Sequence, residues 1–406
     1  MINEESIEAI LRPLIEVDTS NPPGKNYVNI VKIIRDQLAY TDCEVKLVKP
    51  SVKRVKELRK ENSEISDDRV NLIASLDRGQ GKTVILNGHT DVVPAIGHWT
   101  YPPFKLSKKS GEWYGRGVAD MKGPLAVLIL VFIEMAMNKN WRGKLVLTAT
   151  VDEEIGGYTG LSYLMDEGLV KGDYCIVGDG DVSNITNASN GCLRFIVTLK
   201  GKAVHASRNW TGVNAIEKAA RLIVKLERYN SSLLKKKSKI ATSSDYGVDK
   251  LTPSLTVGLI KGGTKVNIVP DQCVIEVDRR VIPEESKNQA IEEFKKILKD
   301  FEKEDDDFKY NLLVERLHDT FYTSRDNEVI KALSTSYEEV KGERCEILGG
   351  LGCYDAAHVA KNGIPVAVLG VARPESNIHG LNEKAKISDL ADFGNIIKNT
   401  VIKLMK

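Results

Sequence analysis

With 406 residues, the chain is too long for one compact core, and its charge is nearly balanced, 58 basic against 56 acidic side chains for a formal +2. It lacks the clustered basic excess of a nucleic-acid or anionic-membrane binder. A hydrophobic fraction of 42% beside a charged fraction of 28% excludes a disordered chain and fits a globular protein of two or three domains.

From 2 to about 17 the apolar positions Ile7, Ile10, Leu11, Leu14 and Ile15 recur at helical spacing behind the cap Asn3. Ser20-Asn21-Pro22-Pro23-Gly24 breaks that unit, a second helix is expected over 27–38, and 44–48 is β-like. The charge-rich stretch 53–69 reads as a solvated helix and loop with no function. Strands are then expected at 70–76, 83–86, 144–151 and 174–177, alternating with helices at 124–137 and 159–167, the pattern of a layered α/β domain. After Asn190 the order changes to strand 193–199, helix 213–229, strands 254–260 and 273–281, helix 286–302 and strand 310–315. That β-α-β-β-α-β order is the ferredoxin-like unit, with the polar stretch 231–249 as a loop inside it. From about Leu317 the α/β alternation returns and closes with a helix over 387–404. The architecture expected is a discontinuous α/β catalytic domain, 1–190 and 317–406, with an inserted ferredoxin-like lid or dimerisation domain, 191–316.

Six cysteines (Cys43, Cys175, Cys192, Cys273, Cys345, Cys353) fall without any C-x-x-C pair, mostly in apolar runs, and read as core residues in a reducing compartment. Glu4, Glu5 and Glu8 stand where the basic region of a signal peptide would lie. The longest apolar run, 125–133, is far short of the ~20 residues a bilayer requires. A soluble cytoplasmic protein with neither membrane nor nucleic-acid partners is expected.

Gly81-Lys82-Thr83 imitates the end of a phosphate-binding loop, but Leu76 occupies the place of its first glycine, and a strand rather than a helix follows. The informative groups stand where expected strands end: Asn87-Gly88-His89-Thr90-Asp91, Asp152-Glu153-Glu154 and Gly178-Asp179-Gly180-Asp181, with Asp120 just ahead of the apolar helix. In open α/β sheets ligands gather outside the carboxyl ends of strands. Histidine with carboxylates and no thiol suits Zn²⁺ or a similar divalent ion. Singly, His-x-Asp reads as a hydrogen-bonded pair and adjacent acids as a solvated corner. Their repetition at strand ends, among glycines that allow close backbone approach, carries the metal reading.

The runs Gly88-His89-Thr90-Asp91-Val92-Val93-Pro94, Gly115-Arg116-Gly117-Val118-Ala119-Asp120-Met121-Lys122-Gly123, Asp152-Glu153-Glu154-Ile155-Gly156-Gly157 and Ile378-His379-Gly380-Leu381-Asn382-Glu383 lie in register over nearly the whole chain. In them the sequence resembles the zinc-dependent family of aminoacylases, acetylornithine deacetylases, succinyl-diaminopimelate desuccinylases and related carboxypeptidases and dipeptidases. The resemblance implies two Zn²⁺ per subunit, with Co²⁺ or Mn²⁺ as alternatives, bridged by Asp120. His89 and Asp179 would complete one site, Glu154 and His379 the other. It further implies Glu153 as general base, Asp91 as the partner that orients His89, and a cis Asp120–Met121 peptide. In the inserted domain it assigns His205 to the substrate's oxyanion or carboxylate, often across a homodimer, with Asn267 and Arg280 as further substrate contacts. His98, His318 and His358 match nothing and read as surface or core histidines.

The implied activity is hydrolysis of the amide of a small N-acyl amino acid, of deacetylase or desuccinylase type, by metal-activated water; a dipeptidase or carboxypeptidase on the same site is the alternative. Asp179 stands where many deacylases and desuccinylases carry glutamate and is more like the dipeptidases and aminopeptidases. Tyr354 and Ala357 stand where desuccinylases typically carry a serine and an arginine. An inactive binding protein on this scaffold is disfavoured because every ligand and the base are present. An oxidoreductase or kinase would need a phosphate-binding glycine fingerprint that is missing. The segments Ser189-Asn190-Gly191 and Leu317-His318 are expected to act as hinges for the inserted domain.

Overall fold

The computed structural model describes residues 2–61, 64–244 and 247–405, so positions 62, 63, 245 and 246 of the two polar stretches read above lie outside the described residues. The chain divides into two compact units, Met1–Asn187 with Tyr322–Leu348 and Tyr354–Lys406, and Ala188–Phe321 with Gly349–Cys353.

The first unit opens with the helix Glu4–Ile15, which buries Ile7, Leu11, Leu14 and Ile15. Asn3 caps it: its side chain accepts from the Ser6 amide at 2.9 Å while the Ser6 hydroxyl accepts from the Asn3 amide at 3.0 Å. At the centre is a nine-stranded sheet among the described residues, in which six strands run side by side. Their order is Glu44–Val48, Asn71–Asp77, Lys144–Thr150, Thr83–His89, Tyr174–Val177 and Val366–Val368. The last four of these pair in parallel and the first two join antiparallel. Parallel strands demand cover on both faces, and the helix Lys122–Met137, apolar all round, supplies a buried layer with Leu125, Leu128, Ile129 and Phe132 excluded from solvent. Gly88 permits this approach, since a Cβ there would stand 2.9 Å from the Met121 side chain.

Three features escape the periodicity reading. Ser107–Lys109, Glu112–Tyr114 and Lys384–Lys386 form a small sheet from strands too short and too charged to signal themselves. Asn184–Ser189 is a strand of mostly polar residues, yet buried along its length, with Asn187 Nδ2 donating to the Thr323 carbonyl at 2.7 Å. Arg69, expected in a solvated segment, is only 1% exposed. A buried arginine has the same one-letter signature as a surface one, and its partner lies 83 positions away.

The second unit is an antiparallel sheet ordered Ser254–Gly262, Gln272–Val281, Gly191–Lys200, Lys309–His318, with the helices Ala215–Leu233 and Lys287–Glu304 packed against it. That strand order is the ferredoxin-like one. Leu193, Phe195, Val197 and Leu199 alternate inward, and Phe195 stacks on Phe294 with ring centroids 3.9 Å apart. Gly349–Cys353 joins this unit, which 191–316 does not contain; Thr242 donates to the Gly349 carbonyl at 2.7 Å. No described helix is long and apolar enough to cross a membrane.

Candidate active site

The register of the parallel strands builds the site. His89 lies opposite Thr150 and Asn87 opposite Val177, so three strands end at one level. Past that level they release Asp91, Asp152-Glu153-Glu154 and Asp179 into one crevice, and the loop before the buried helix adds Asp120.

His89, Asp120 and Glu154 bring ligand-type atoms within 4.8 Å of one another. Asp120 uses one oxygen for each imidazole, Oδ1 at 3.0 Å from His89 Nε2 and Oδ2 at 3.1 Å from His379 Nε2. His379 Nε2 is also 3.1 Å from Glu154 Oε2. Its backbone is left-handed at φ 61°, which turns the ring back towards the cluster. The Asp120–Met121 peptide is cis. Burial would raise the Asp120 carboxyl, but the bonds from His379 and His89 hold it well below the usual range.

His89 Nδ1 faces the backbone carbonyl of Asp91 at 2.9 Å, an acceptor only, so Nδ1 carries a proton and Nε2 is the nitrogen turned to the cluster, where it bonds to Asp120. The Asp91 carboxylate, expected to orient this ring, is 3.6 Å from Nδ1 and does something else. It accepts from the amides of Glu153 and Glu154, both at 3.2 Å, and from Asn21 Nδ2 at 3.0 Å. Asp91 thus reaches His89 through its carbonyl, because two amides of the acidic turn claim its carboxylate.

The remaining acids crowd the same crevice. Burial, with the charge of Asp120, pushes Glu154 up to about 7 and Asp179 to about 6. Glu153 is raised well above its usual value, first by burial and then, against the pull of His89, by the charges of Asp355, Asp179 and Glu154. Asp355 is pushed up to about 7, chiefly by burial. Gly157, at φ 65°, lets it approach the acidic turn, because a Cβ there would meet Asp355 Oδ1 at 2.3 Å. His358 is a buried histidine whose Nε2 lies 3.1 Å from the Gly156 carbonyl on that turn.

Sequence reasoning missed several residues of the framework. Glu383, quoted in a motif but given no role, is fully buried and accepts from the Ala119 and Asp120 amides at 2.9 and 3.0 Å on one oxygen. Its other oxygen accepts from Arg116 Nη1 at 2.7 Å and the Gly117 amide at 3.0 Å. The signal was present as its place four residues past His379. Asp152, quoted at a strand end but given no role, has partners Asn21, Tyr27 and Arg69 that carried no signal, since they lie in segments read as breaker, helix and solvated loop.

The other expected contacts lie in the second unit. His205 and Asn267 stand together: His205 pairs with Ile268, and the Ala206 amide donates to the Asn267 carbonyl at 3.0 Å. Both are exposed, and His205 Nδ1 is 2.8 Å from the Ser207 hydroxyl. Arg280 is half-buried, with Nε donating to Asp278 at 2.8 Å and Nη1 to the Cys353 sulfur at 3.4 Å. It lies at the opposite end of the sheet, opposite Cys192, whereas His205 follows the end where Lys200 faces Gln272.

The donor set fits a divalent cation. Two imidazoles and several carboxylates converge, and Glu154 Oε1 is buried without a hydrogen-bond partner, a vacancy costly for an acid unless a positive charge meets it. The sequence profile of peptidase family M20/M25/M40 matches residues 85–403. The chain belongs to this family. A probable succinyl-diaminopimelate desuccinylase of Staphylococcus aureus strain MSSA476 is 27% identical, the likeness covering 98% of this chain and 97% of the relative. Among solved structures, an M20 family metallo-carboxypeptidase from Sulfolobus solfataricus, Sso-CP2, superposes with a TM-score of 0.80 at 19% identity, covering 99% of this chain and 100% of that one. The di-peptidase Dug1p from Saccharomyces cerevisiae gives 0.77 at 17%, covering 99% and 98%. As an M20 protein the chain is a metal-dependent amidohydrolase.

Proposed function

We propose that this M20 hydrolase cleaves the amide bond of a small N-acyl amino acid, of deacetylase or desuccinylase type, with water as nucleophile. The observation that carries the reading is Asp120 offering one oxygen to each of two imidazoles while Glu153, a carboxyl raised above its usual value, stands beside the cluster. Asp120 would bridge two ions, His89 and Asp179 holding one and Glu154 and His379 the other, with zinc the metal expected and Co²⁺ or Mn²⁺ the alternatives. When bound, two such ions lower the pKa of a shared water and polarise the scissile carbonyl. Glu153 takes the proton of the attacking water and delivers it to the leaving amine; a raised pKa suits a group that must both accept and release it near neutrality. Asp91 holds the amides of Glu153 and Glu154, and through its carbonyl the tautomer of His89.

His205, Asn267 and Arg280 would recognise the substrate, His205 at its oxyanion or carboxylate and the other two as further contacts. Eight steps along the strand separate Gln272 from Arg280, about 25 Å, too far for one small substrate to touch both ends of the sheet. This supports a homodimer through the inserted domain, in which His205 and Asn267 serve the partner's site. The edge strand Ser254–Gly262 with its exposed Leu259 and Ile260 offers a surface for it. Six cysteines outside any disulfide fit a cytoplasmic setting.

A dipeptidase is the second reading, favoured by Asp179, Tyr354 and Ala357 in place of the residues desuccinylases typically carry. Hydrolysis of a panel of acetyl-, succinyl- and dipeptide substrates with Zn²⁺, Co²⁺ and Mn²⁺ separates the two. On the best substrate Glu153→Ala should retain both metals and lose at least ~10²-fold in turnover. A rate within a few-fold of wild type removes Glu153 from its role.

A further inference from the structure

Asp152, immediately before Glu153, is fully buried and left-handed at φ 64°, an uncommon conformation for a residue with a side chain. Its carboxylate takes four donors. Oδ1 accepts from Asn21 Nδ2 and the Tyr27 hydroxyl, both at 3.0 Å, and Oδ2 accepts from Arg69 Nε at 2.9 Å and from the Thr159 hydroxyl. Asn21, Tyr27 and Arg69 are themselves 1%, 0% and 1% exposed, and Arg69 is braced by Ser66 Oγ at 2.8 Å. Asn21 does more than anchor Asp152, because the same Nδ2 donates to Asp91 Oδ2 at 3.0 Å. Its amide cannot turn over without setting Oδ1 against two carboxylates. One side chain therefore ties Asp152 to Asp91, whose carboxylate in turn holds the Glu153 and Glu154 amides.

We propose that Asn21, Tyr27 and Arg69 are positioning residues of the reaction, holding through Asp152 and Asp91 the turn that carries Glu153 and Glu154. All three precede residue 85, where the match to the family profile begins, and none is a ligand or substrate contact in the reading above. The proposal rests on Glu153 being the base. A left-handed residue persists when its surroundings over-determine it, and here four donors do so from three separate stretches of chain. Loosening that grip displaces the Glu153 carboxylate relative to the water it must deprotonate, and a displacement of about 1 Å costs up to ~10²-fold in rate.

The test is a double-mutant cycle between Asn21→Ala and Glu153→Ala on the best panel substrate, with metal content by elemental analysis. Asn21→Ala alone should lower kcat by ~10- to 10²-fold with KM within about twofold and metal content unchanged. In the Glu153→Ala background it should change the residual kcat by less than about twofold, because its effect runs through Glu153. Tyr27→Phe, which removes a single hydroxyl, is read in the same cycle if Asn21→Ala does not fold. Wild-type kcat in the folded variant, or losses that multiply in the double variant, overturns the proposal and leaves a structural cluster. A Glu153→Ala protein of undiminished activity instead overturns the assignment of the base, and the two failures are distinct.

Discussion

His89 and the acids beside it are held in the opposite way to His205 and Asn267, whereas His379, with its side chain 54% exposed, stands between the two groups. In the first unit His89 is 1% exposed, each nitrogen has a fixed partner, and the nearby Glu154 and Asp179 are raised by burial. In the second unit His205 and Asn267 are exposed, and the hydrogen bond to His205 comes from Ser207, two positions away. Groups that must meet ions and a developing charge gain from being desolvated and fixed beforehand. Groups that greet a diffusing substrate stay hydrated until it arrives.

His205→Ala probes this contrast most sharply. Turnover should fall ~10²–10³-fold, the loss usual for one oxyanion donor, with metal content and melting temperature unchanged because an exposed side chain supports no core. A lowered melting temperature with normal turnover of the folded fraction would assign His205 to structure and erase the distinction. Light scattering at micromolar concentration extends the test to the partner subunit: a dimer mass is expected, and a fully active monomer would leave His205 and Asn267 without a site to serve.

A smaller effect follows from the buried acids of the first unit. An unfolded carboxyl releases its proton near pH ~4, whereas Asp179 holds its proton to about 6 and Glu154 and Asp355 to about 7. Between those values the folded, chelated protein binds more protons than the unfolded chain, so its stability falls as pH rises. His379, raised to about 10 by its bonds to Asp120 and Glu154, continues the fall above pH ~6.5. Melting temperature measured with a chelator should decline from about pH 5 to about pH 8, and added Zn²⁺ should reverse that slope by competing with the protons. A chelated melting temperature that climbs over this range would show that the acids are already ionised.

His89, Glu154 and Asp179 were legible in the sequence because they stand where apolar strands end, where a polar group must have a reason to stand; His379 was legible only through the family motif. The ferredoxin-like order was legible because its helices and strands are long and strongly periodic. What was hidden shares one physical trait, namely polarity satisfied internally. Arg69 read as surface, and the strand Asn184–Ser189 went unread, because composition cannot tell a polar group in water from one matched by a distant carboxylate or carbonyl. The atom by which Asp91 meets His89 was hidden for a related reason. A His-x-Asp pair suggests side chain to side chain, and only the fold reveals that two amides of a turn 62 and 63 positions away had claimed the carboxylate.

Glu383 carries a consequence for how the sequence can drift. Its two oxygens each take two donors, so four N–H groups from the Arg116–Asp120 loop converge on one carboxylate. Glutamine keeps the shape but replaces one oxygen by an amino group, and in either orientation two donors then face a donor. Aspartate keeps the charge but is one methylene too short to span both pairs. Neither of the nearest chemical neighbours reproduces the pattern. In a saturation scan read by activity, position 383 should tolerate substitution as poorly as the ligand-type residues themselves, although it touches none of the reacting atoms.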